Sequence, residues 1–214
     1  MEIISFKHVI PQVFASREQQ NSDIWQQVVR LEKGKFYLIE ADSGKGKSTF
    51  CSYIIGYRDD YTGYIYFDEV DTRSMSVSDW VATRQHHLSC LFQELRLFPE
   101  LTAFENVQIK NKLTGCKKRQ QIVEWFERMG IPDKLNSKVG QMSFGQQQRV
   151  AMIRALVQPY DFILLDEPIS HLDDPNSLIM GDILVEEAHQ QGAGVIVTSI
   201  GKHMQLPYDH VLKL

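Results

Sequence analysis

The sequence lacks the features that mark several classes of protein. It contains three cysteines, Cys51, Cys90 and Cys116, without paired spacing or a CxxC pair, so we expect free thiols rather than disulfides or a cysteine-based metal site. The formal net charge of -4 gives no general basic surface, so no nucleic-acid partner is expected. Apolar runs such as residues 162–165 are far shorter than the roughly 20 residues of a membrane span, which predicts no direct membrane insertion.

The first eleven residues also lack the charged leader and long apolar stretch of a secretory signal. Together with free thiols, this predicts a cytoplasmic protein that reaches a membrane only through a partner. A hydrophobic content of 43% is enough for a sizeable core, and the sequence has no internal repeat. We therefore expect a single domain over residues 1–214, with a mainly helical lobe over residues 98–158 inserted in its middle.

The apolar runs predict an α/β fold. Residues 36–39 form a short apolar run that leads into a glycine-bearing turn and then a helical segment, which is the order strand, loop, helix. The runs at 162–165 and 195–197 do not alternate with polar residues, as expected for parallel strands buried on both faces. Segments rich in β-formers near the N-terminus predict a small antiparallel sheet; they are residues 3–9, 28–31 and 64–67.

The turn after residues 36–39 matches the phosphate-binding loop G-x-x-x-x-G-K-[ST], except that alanine replaces the first glycine. Its backbone N–H groups and the following helix start would bind phosphates, Lys47 would neutralise the β and γ phosphates, and Ser48 would offer its hydroxyl to Mg²⁺. A chance glycine-rich turn is the alternative, which the preceding strand disfavours. The predicted loop residues are Ala41, Asp42, Ser43, Gly44, Lys45, Gly46, Lys47, Ser48 and Thr49.

Two carboxylates follow the apolar run at 162–165. Asp166 and Glu167 are expected at the carboxyl edge of a strand, which is where open α/β sheets bind ligands. Asp166 is predicted to hold Mg²⁺ directly or through water, and Glu167 to polarise an attacking water. A strand that ends in solvated acids is the alternative, and the phosphate-binding loop upstream disfavours it.

Residues 142–149, MSFGQQQR, contain a capping box in which Ser143 and Gln146 satisfy each other at a helix start. This stretch resembles the signature LSGGQQQR of the ABC ATPase family. In that family the helix start binds the γ phosphate held by the other subunit, so two copies enclose two nucleotides. The resemblance implies this role for Ser143, Gly145 and Gln146, although Phe144 replaces the first signature glycine.

Two further stretches resemble the same family. Gln93 lies in a segment similar to the Q-loop, where the glutamine reaches metal and water. Residues 92–107 resemble the FQ…LTxxENV block of the branch that handles lipoprotein release, macrolide export and cell division. Residues 170–173 resemble the D-loop, which contacts the partner subunit; a polar helix-capping turn is the alternative.

Two positions fit the family less closely. Phe14 is the candidate for the aromatic residue that stacks on adenine, and a role as a core residue is equally compatible with the sequence. Ser199 stands where the family has its switch histidine, so we expect slow basal hydrolysis. His203 is the one nearby histidine that could return to the site, and a surface residue is the alternative for it.

The resemblance implies a P-loop NTPase with a RecA-like core, an antiparallel β lobe and an inserted α-helical lobe. It implies ATP and Mg²⁺ as cofactors, an ATP-dependent head-to-tail homodimer, and a transmembrane permease as partner at the cytoplasmic face of the inner membrane. An export, lipoprotein-release or force-transmitting system is expected. The alternatives are a soluble ABC protein of translation or DNA repair, a module that closes on ATP with little turnover, and a P-loop kinase or GTPase.

Overall fold

The computed structural model describes residues 1–15, 22–42, 44–170 and 172–214. The strands are β1 Ile3–Pro11, β2 Val28–Glu32, β3 Phe36–Glu40, β4 Tyr61–Phe67, β5 Val70–Asp71, β6 Leu88–Leu91, β7 Phe162–Asp166, β8 Gly194–Ser199 and β9 His210–Lys213. The α-helices are α1 Lys47–Ile54, α2 Val77–His86, α3 Ala103–Asn111, α4 Arg119–Arg128, α5 Phe144–Leu156 and α6 Asp174–Gln191.

A parallel sheet of five strands forms the centre of the fold, in the order β6-β7-β8-β3-β9. Successive residues of β7 enter different cores: Ile163 and Leu165 pack with the helices α3 to α6, whereas Leu164 packs with α1 and the antiparallel strands. Both faces of the strand are therefore apolar. This explains the absence of alternation in the sequence and confirms the prediction of buried parallel strands.

The predicted antiparallel sheet is present, in the order β2-β1-β4-β5. Aromatic side chains fix it to α1: Phe6 of β1 stacks on Phe50 of α1 with ring centroids 5.2 Å apart, and Trp25 meets Phe50 edge-on at 6.3 Å. All three side chains are buried. Truncation of such a residue typically costs about 3–5 kcal/mol, so this cluster holds the helix after the phosphate-binding loop in place.

The helices α3, α4 and α5 lie within residues 98–158, where a helical lobe is expected. The predicted start of α5 is confirmed, because Ser143 and Gln146 form a capping box. The end of α4 is also as predicted: the chain turns at Gly130, which has φ of +67°, two residues before Pro132. Local sequence signals therefore determine both helix boundaries.

Side chains of the helical lobe bond to the central core at several points. Arg154 of α5 donates to the carbonyl oxygens of Leu95 and Arg96, in the connection between β6 and α3. Arg149 donates to Asn176 of α6 at 2.9 Å. The packing between lobe and core is therefore reinforced by hydrogen bonds from cationic side chains.

Among the described residues, no helix is both long enough and apolar enough to cross a lipid bilayer. The cysteines Cys51, Cys90 and Cys116 are free thiols, as predicted.

Candidate active site

The predicted phosphate-binding loop connects the end of β3 to the start of α1. Gly44 and Gly46 have φ of +77° and +105°, conformations that glycine adopts without strain. Ala41 does not have a positive φ, which explains why alanine is tolerated at the first motif position. Gly46 is the N-cap of α1 and offers no capping side chain, so the first N–H groups of the helix remain available to an anion.

Lys47 begins α1 and points back into the loop. Its ammonium donates to the carbonyl oxygens of Ala41 at 2.9 Å and Asp42 at 3.0 Å, and lies 3.9 Å from a carboxylate oxygen of Glu167. The side chain is 5% exposed. Burial lowers the pKa of Lys47, while the charges of Glu167 and Asp166 act in the opposite direction. A buried cation that faces two carboxylates is suited to bind phosphate oxygens.

Asp166 ends β7 as a buried carboxylate. Burial raises its pKa, and hydrogen bonding from Thr198 and the nearby Ser48 hydroxyl partly offsets this effect. Thr198 of β8 is opposite Asp166 in the strand register and donates its hydroxyl to Oδ1 at 2.5 Å. The neighbouring strand therefore fixes the carboxylate next to the start of α1.

Glu167 follows Asp166 and has φ of +50°, which is unusual for a residue with a side chain. Its N–H donates to Thr198 O at 3.2 Å, and Gln93 Nε2 donates to its Oε2 at 3.4 Å. The constrained backbone and this long hydrogen bond aim the carboxylate at the same space as Lys47. Such strain is often found at functional sites.

The oxygen atoms around this space fit a magnesium ion. Ser48, Gln93 and Asp166 offer a hydroxyl, an amide carbonyl and a carboxylate, which are ligands that Mg²⁺ accepts alongside water and phosphate oxygens. Asp166 is buried at the end of β7 and interacts with the Ser48 hydroxyl, so these two oxygen ligands lie side by side. No cluster of three or more His, Cys, Asp or Glu suited to a metal is present in the described ranges, so the site would depend on bound phosphate for further ligands.

Ser199 ends β8, and its side chain is buried. Its hydroxyl donates to Lys202 O at 2.5 Å, while its carbonyl oxygen accepts from the N–H of Ala41 at 3.3 Å. Ser199 and Glu167 line a common cavity of 210 Å³, together with Lys202 and His203. His203 lines this cavity but is exposed, and its ring packs edge-on against Tyr208, so a role in the site stays a prediction.

Phe14 is half-buried next to the phosphate-binding loop. Its ring approaches Gly46 so closely that a Cβ on this glycine would lie 2.7 Å from Phe14 Cε2. The contact places the aromatic residue beside the loop, and a stacking role remains a prediction. Ser43, residues 16–21 of the segment after Phe14, and His171 of the D-loop match lie outside the described residues.

Ser143, Gly145 and Gln146 lie at the start of α5, where Ser143 is exposed. Ser143 and Gln146 bond to each other, and within the described part of the chain none of the three bonds to the phosphate-binding loop. Phe144, which replaces the first signature glycine, is 42% exposed. The first two residues of this helix start, Ser143 and Phe144, are exposed, and its binding of phosphate stays a prediction.

Two residues of the site were not identified from the sequence. Thr198 holds Asp166, and Gln148 of α5 donates its amide to Pro168 O at 2.5 Å, which links the signature helix to the segment after Glu167. Gln148 belongs to the signature match, so its motif could have identified it. The contact of Thr198 with Asp166 follows only from the register between β7 and β8.

Comparison with known proteins agrees with this geometry. A family model described as ABC transporter matches residues 26–170. The chain is 31% identical over 205 residues to the macrolide export ATP-binding/permease protein MacB of Shewanella sp. (strain ANA-3), covering 94% of this chain but 31% of that protein. It is 31% identical over 193 residues to the ABC transporter ATP-binding protein YtrE of Bacillus subtilis (strain 168), covering 86% of this chain and 84% of YtrE.

Solved structures share the fold. The dimeric structure of MJ0796, a bacterial ABC transporter cassette, has a TM-score of 0.77 and 27% identity over 92% of this chain and 87% of that one. A dimeric post-hydrolysis state of MJ0796 bound to ADP and Pi has a TM-score of 0.74 and 25% identity with the same coverage. The matched family model, the shared cassette fold and the phosphate-binding loop at the edge of the parallel sheet agree. The chain therefore belongs to the ABC transporter family, as an ATP-binding cassette.

Proposed function

We propose that this chain binds Mg-ATP, hydrolyses it between two copies arranged head-to-tail, and drives a separate membrane permease. The observation that supports this most strongly is the convergence of Lys47, Asp166, Glu167 and Gln93 at one edge of the parallel sheet. These side chains come from three separate parts of the sequence. Their chemistry is that of phosphoryl transfer, in which positioning and charge stabilisation replace covalent catalysis.

The phosphate-binding loop would hold the triphosphate. In the structure the Lys47 ammonium bonds to loop carbonyl oxygens, and phosphate oxygens would replace these partners. Ser48, Gln93 and Asp166 would hold Mg²⁺, which supplies positive charge to the phosphates when bound. Phe14 would pack on the base beside the loop.

Glu167 would act as general base or orienting group for the attacking water. Its carboxylate lies 3.9 Å from the Lys47 ammonium and accepts the Gln93 amide, so both sides of the reacting space are defined by this chain. Gln93 follows β6 directly and precedes the helical lobe. Loss of the terminal phosphate on hydrolysis could therefore change the position of the helical lobe through Gln93.

The second copy would supply Ser143, Gly145 and Gln146. Their helix start is exposed and makes no hydrogen bond to the loop of its own chain within the described residues. A helix N-terminus attracts anions, and a head-to-tail dimer brings it to the terminal phosphate of the other chain. Two equivalent nucleotide sites follow from the two-fold symmetry of such a dimer.

A permease partner is proposed from the relatives. MacB carries ATP-binding and permease parts in one protein, and the chain matches 31% of its length. We propose that here a separate subunit supplies the permease at the cytoplasmic face of the membrane, in an export, lipoprotein-release or force-transmitting system. No nucleic-acid partner is proposed, given the net charge of -4.

The hydrolytic role is tested by Glu167→Gln, which keeps the shape of the side chain and removes its charge. Phosphate release from Mg-ATP should fall at least about a hundredfold, as for loss of a general base, while ATP remains bound and traps a dimer. Glu69→Gln, at an exposed carboxylate between β4 and β5, should hydrolyse ATP like the unaltered chain. A Glu167→Gln variant that stays monomeric at saturating ATP, or that hydrolyses normally, would remove Glu167 from this role.

The permease is tested by its effect on turnover. Chemical cross-linking in cells should join the chain to a membrane protein with several spanning helices, and co-reconstitution with that protein in vesicles should raise ATP turnover. Recovery of the chain only in the soluble fraction, with no such cross-link, would contradict the transport assignment.

A second candidate function is an ATP-operated clamp with little turnover. The observation that favours it is the Ser199 hydroxyl, which is already engaged in a hydrogen bond to Lys202 O within its own chain. Under this alternative, ATP closes the dimer and opening depends on nucleotide release. Measured phosphate release per dimer, with and without the membrane partner, separates the two functions.

A further inference from the structure

Ser199 connects two segments that border the site. Its carbonyl oxygen accepts from Ala41 at the beginning of the phosphate-binding loop, and its hydroxyl donates to the carbonyl oxygen of Lys202. Between them, Gly201 has φ of +70°, and the N–H of Lys202 donates to Ile200 O at 2.8 Å. The serine therefore closes a tight turn, which directs the Lys202 side chain.

The Lys202 ammonium reaches the other side of the cavity. It lies 2.7 Å from Oδ1 of Asp174 and 3.4 Å from the carbonyl oxygen of Leu172. Asp174 is the first residue of α6, and Leu172 belongs to the segment that joins Glu167 to that helix. Lys202 thus connects the segment after β8 with the segment that resembles the D-loop.

Glu167 is coupled to the same segment through the backbone. The N–H of Ser170 donates to Glu167 O at 3.4 Å, and the N–H of Leu172 donates to Ile169 O at 3.2 Å. Displacement of the first turn of α6 would therefore be passed to a glutamate whose backbone is already constrained. The cavity of 210 Å³ beside Glu167 provides the space into which this segment could move.

Folding stability does not account for this arrangement. The side chains of Lys202 and Asp174 are 57% and 79% exposed, and ion pairs this exposed contribute little to folding. Asp174 is also favourable at a helix N-terminus without any lysine. The pair does connect two segments that both line the cavity containing Glu167.

We propose that Lys202 is a positioning residue for ATP hydrolysis, held by Ser199 and acting through Asp174 and Leu172 on Glu167. This inference rests on the proposed ATPase function. Ser199, which stands at the end of β8 where a histidine is absent, positions Lys202 through the turn. Lys202 in turn orders the segment that follows Glu167.

The test compares Lys202→Gln and Lys202→Arg in the full chain with Mg-ATP. We expect Lys202→Gln to lower kcat about tenfold with KM changed less than about twofold, because misplacement of a reacting group affects the transition state more than binding. Lys202→Arg should retain at least half of the activity. Asp174→Asn should lower kcat by the same factor. The double variant should have the same kcat as either single variant, since both single substitutions remove the same interaction between Lys202 and Asp174.

Lys35→Gln is the matched control, since Lys35 forms an exposed pair with Asp209 at the opposite edge of the same sheet. It should hydrolyse ATP like the unaltered chain. Equal activity of Lys202→Gln and the unaltered chain would overturn the inference, as would a loss caused by His203→Ala alone. Absence of hydrolysis in the unaltered chain would count against the proposed function instead.

Hydrogen exchange gives a readout that does not depend on turnover. In Lys202→Gln, amides of residues 172–177 should exchange faster than in the unaltered chain, whereas those of α5 should be unchanged. Unchanged exchange in residues 172–177 would contradict the positioning role, whether or not the chain hydrolyses ATP.

Discussion

The starts of α1 and α5 are both expected to meet phosphate, yet they are built differently. The α1 start is capped by Gly46, which has no side chain to occupy the first N–H groups, and Lys47 is buried beside it. The α5 start is closed by its own capping box between Ser143 and Gln146 and is exposed. We expect the first to bind phosphate within one chain, and the second to meet a phosphate that another copy holds, as the family resemblance implies.

We therefore expect ATP binding and dimer closure to depend on different helix starts. Variants at the start of α1 should weaken ATP binding by the isolated chain, whereas variants at the start of α5 should weaken only the ATP-dependent dimer. The following substitutions are arranged to break or sharpen that contrast, from the largest expected effect to the smallest.

Lys47→Ala should abolish detectable Mg-ATP binding by the isolated chain, because it removes the buried cation that faces the phosphates. A buried charged contact is typically worth about 2–5 kcal/mol, which corresponds to a loss of at least about thirtyfold in affinity. Lys112→Ala, at an exposed lysine directly after α3, should bind ATP normally. Calorimetry that shows equal affinity for Lys47→Ala and the unaltered chain would disprove the phosphate-loop assignment.

Gly145→Asp should abolish ATP-driven dimerisation and turnover while the monomer still binds ATP. The added carboxylate would repel the γ phosphate of the partner chain. Analytical ultracentrifugation with ATP measures the dimer, and fluorescent-nucleotide titration measures binding by the monomer. A comparable loss of binding in the monomer would show that α5 acts within its own chain and would remove the contrast.

Ser143→Ala can be compared with Ser76→Ala, since Ser76 forms the same kind of capping box with Asp79 at the start of α2. Each substitution should lower the free energy of unfolding by about 1 kcal/mol, because it removes a helix cap. Only Ser143→Ala should also weaken the ATP-dependent dimer. Equal dimerisation of the two variants in urea-free buffer would show that Ser143 has a capping role alone.

Asp166→Asn should stabilise the nucleotide-free chain. Burial raises the pKa of Asp166 in the folded state, so this group favours folding at low pH and this contribution is lost as pH rises through the folded pKa. The variant should therefore be more stable than the unaltered chain at neutral pH, and the difference in the free energy of unfolding should decrease as the pH falls. Urea unfolding across pH measures it; a pH-independent difference would contradict burial as the cause.

The sequence was informative wherever a pattern is local. Apolar runs without alternation correctly predicted β7 and β8, and the S-x-x-Q spacing predicted the start of α5. Besides the two-residue strand β5, three elements were not predicted. The helix α2 buries only Thr83, so it has no apolar stripe to recognise, although Ser76 and Asp79 form a capping box. The strand β6 is four residues long.

The third missed element, α6, had recognisable end signals. Asp173 caps its start, Pro175 follows within the first turn, and Gly192 ends it with φ of +62°. Its buried residues include Met180, Ile183 and Leu184. These end residues are local signals from which α6 could have been predicted.

By itself, the sequence determined the phosphate-binding loop, the acidic strand end and the capping box, because each depends on residues within a few positions of one another. The tertiary structure alone decided how their side chains are partnered. Asp166 meets Thr198 because β7 and β8 pair in that register, and Gln93 meets Glu167 across 74 positions of sequence. The Ser199 hydroxyl is directed toward Lys202 by the turn that follows β8. The pairing of β8 with β3 and β7 decides where this turn lies. Strand register is a long-range property, set by which faces the whole sheet buries, and no local pattern encodes it.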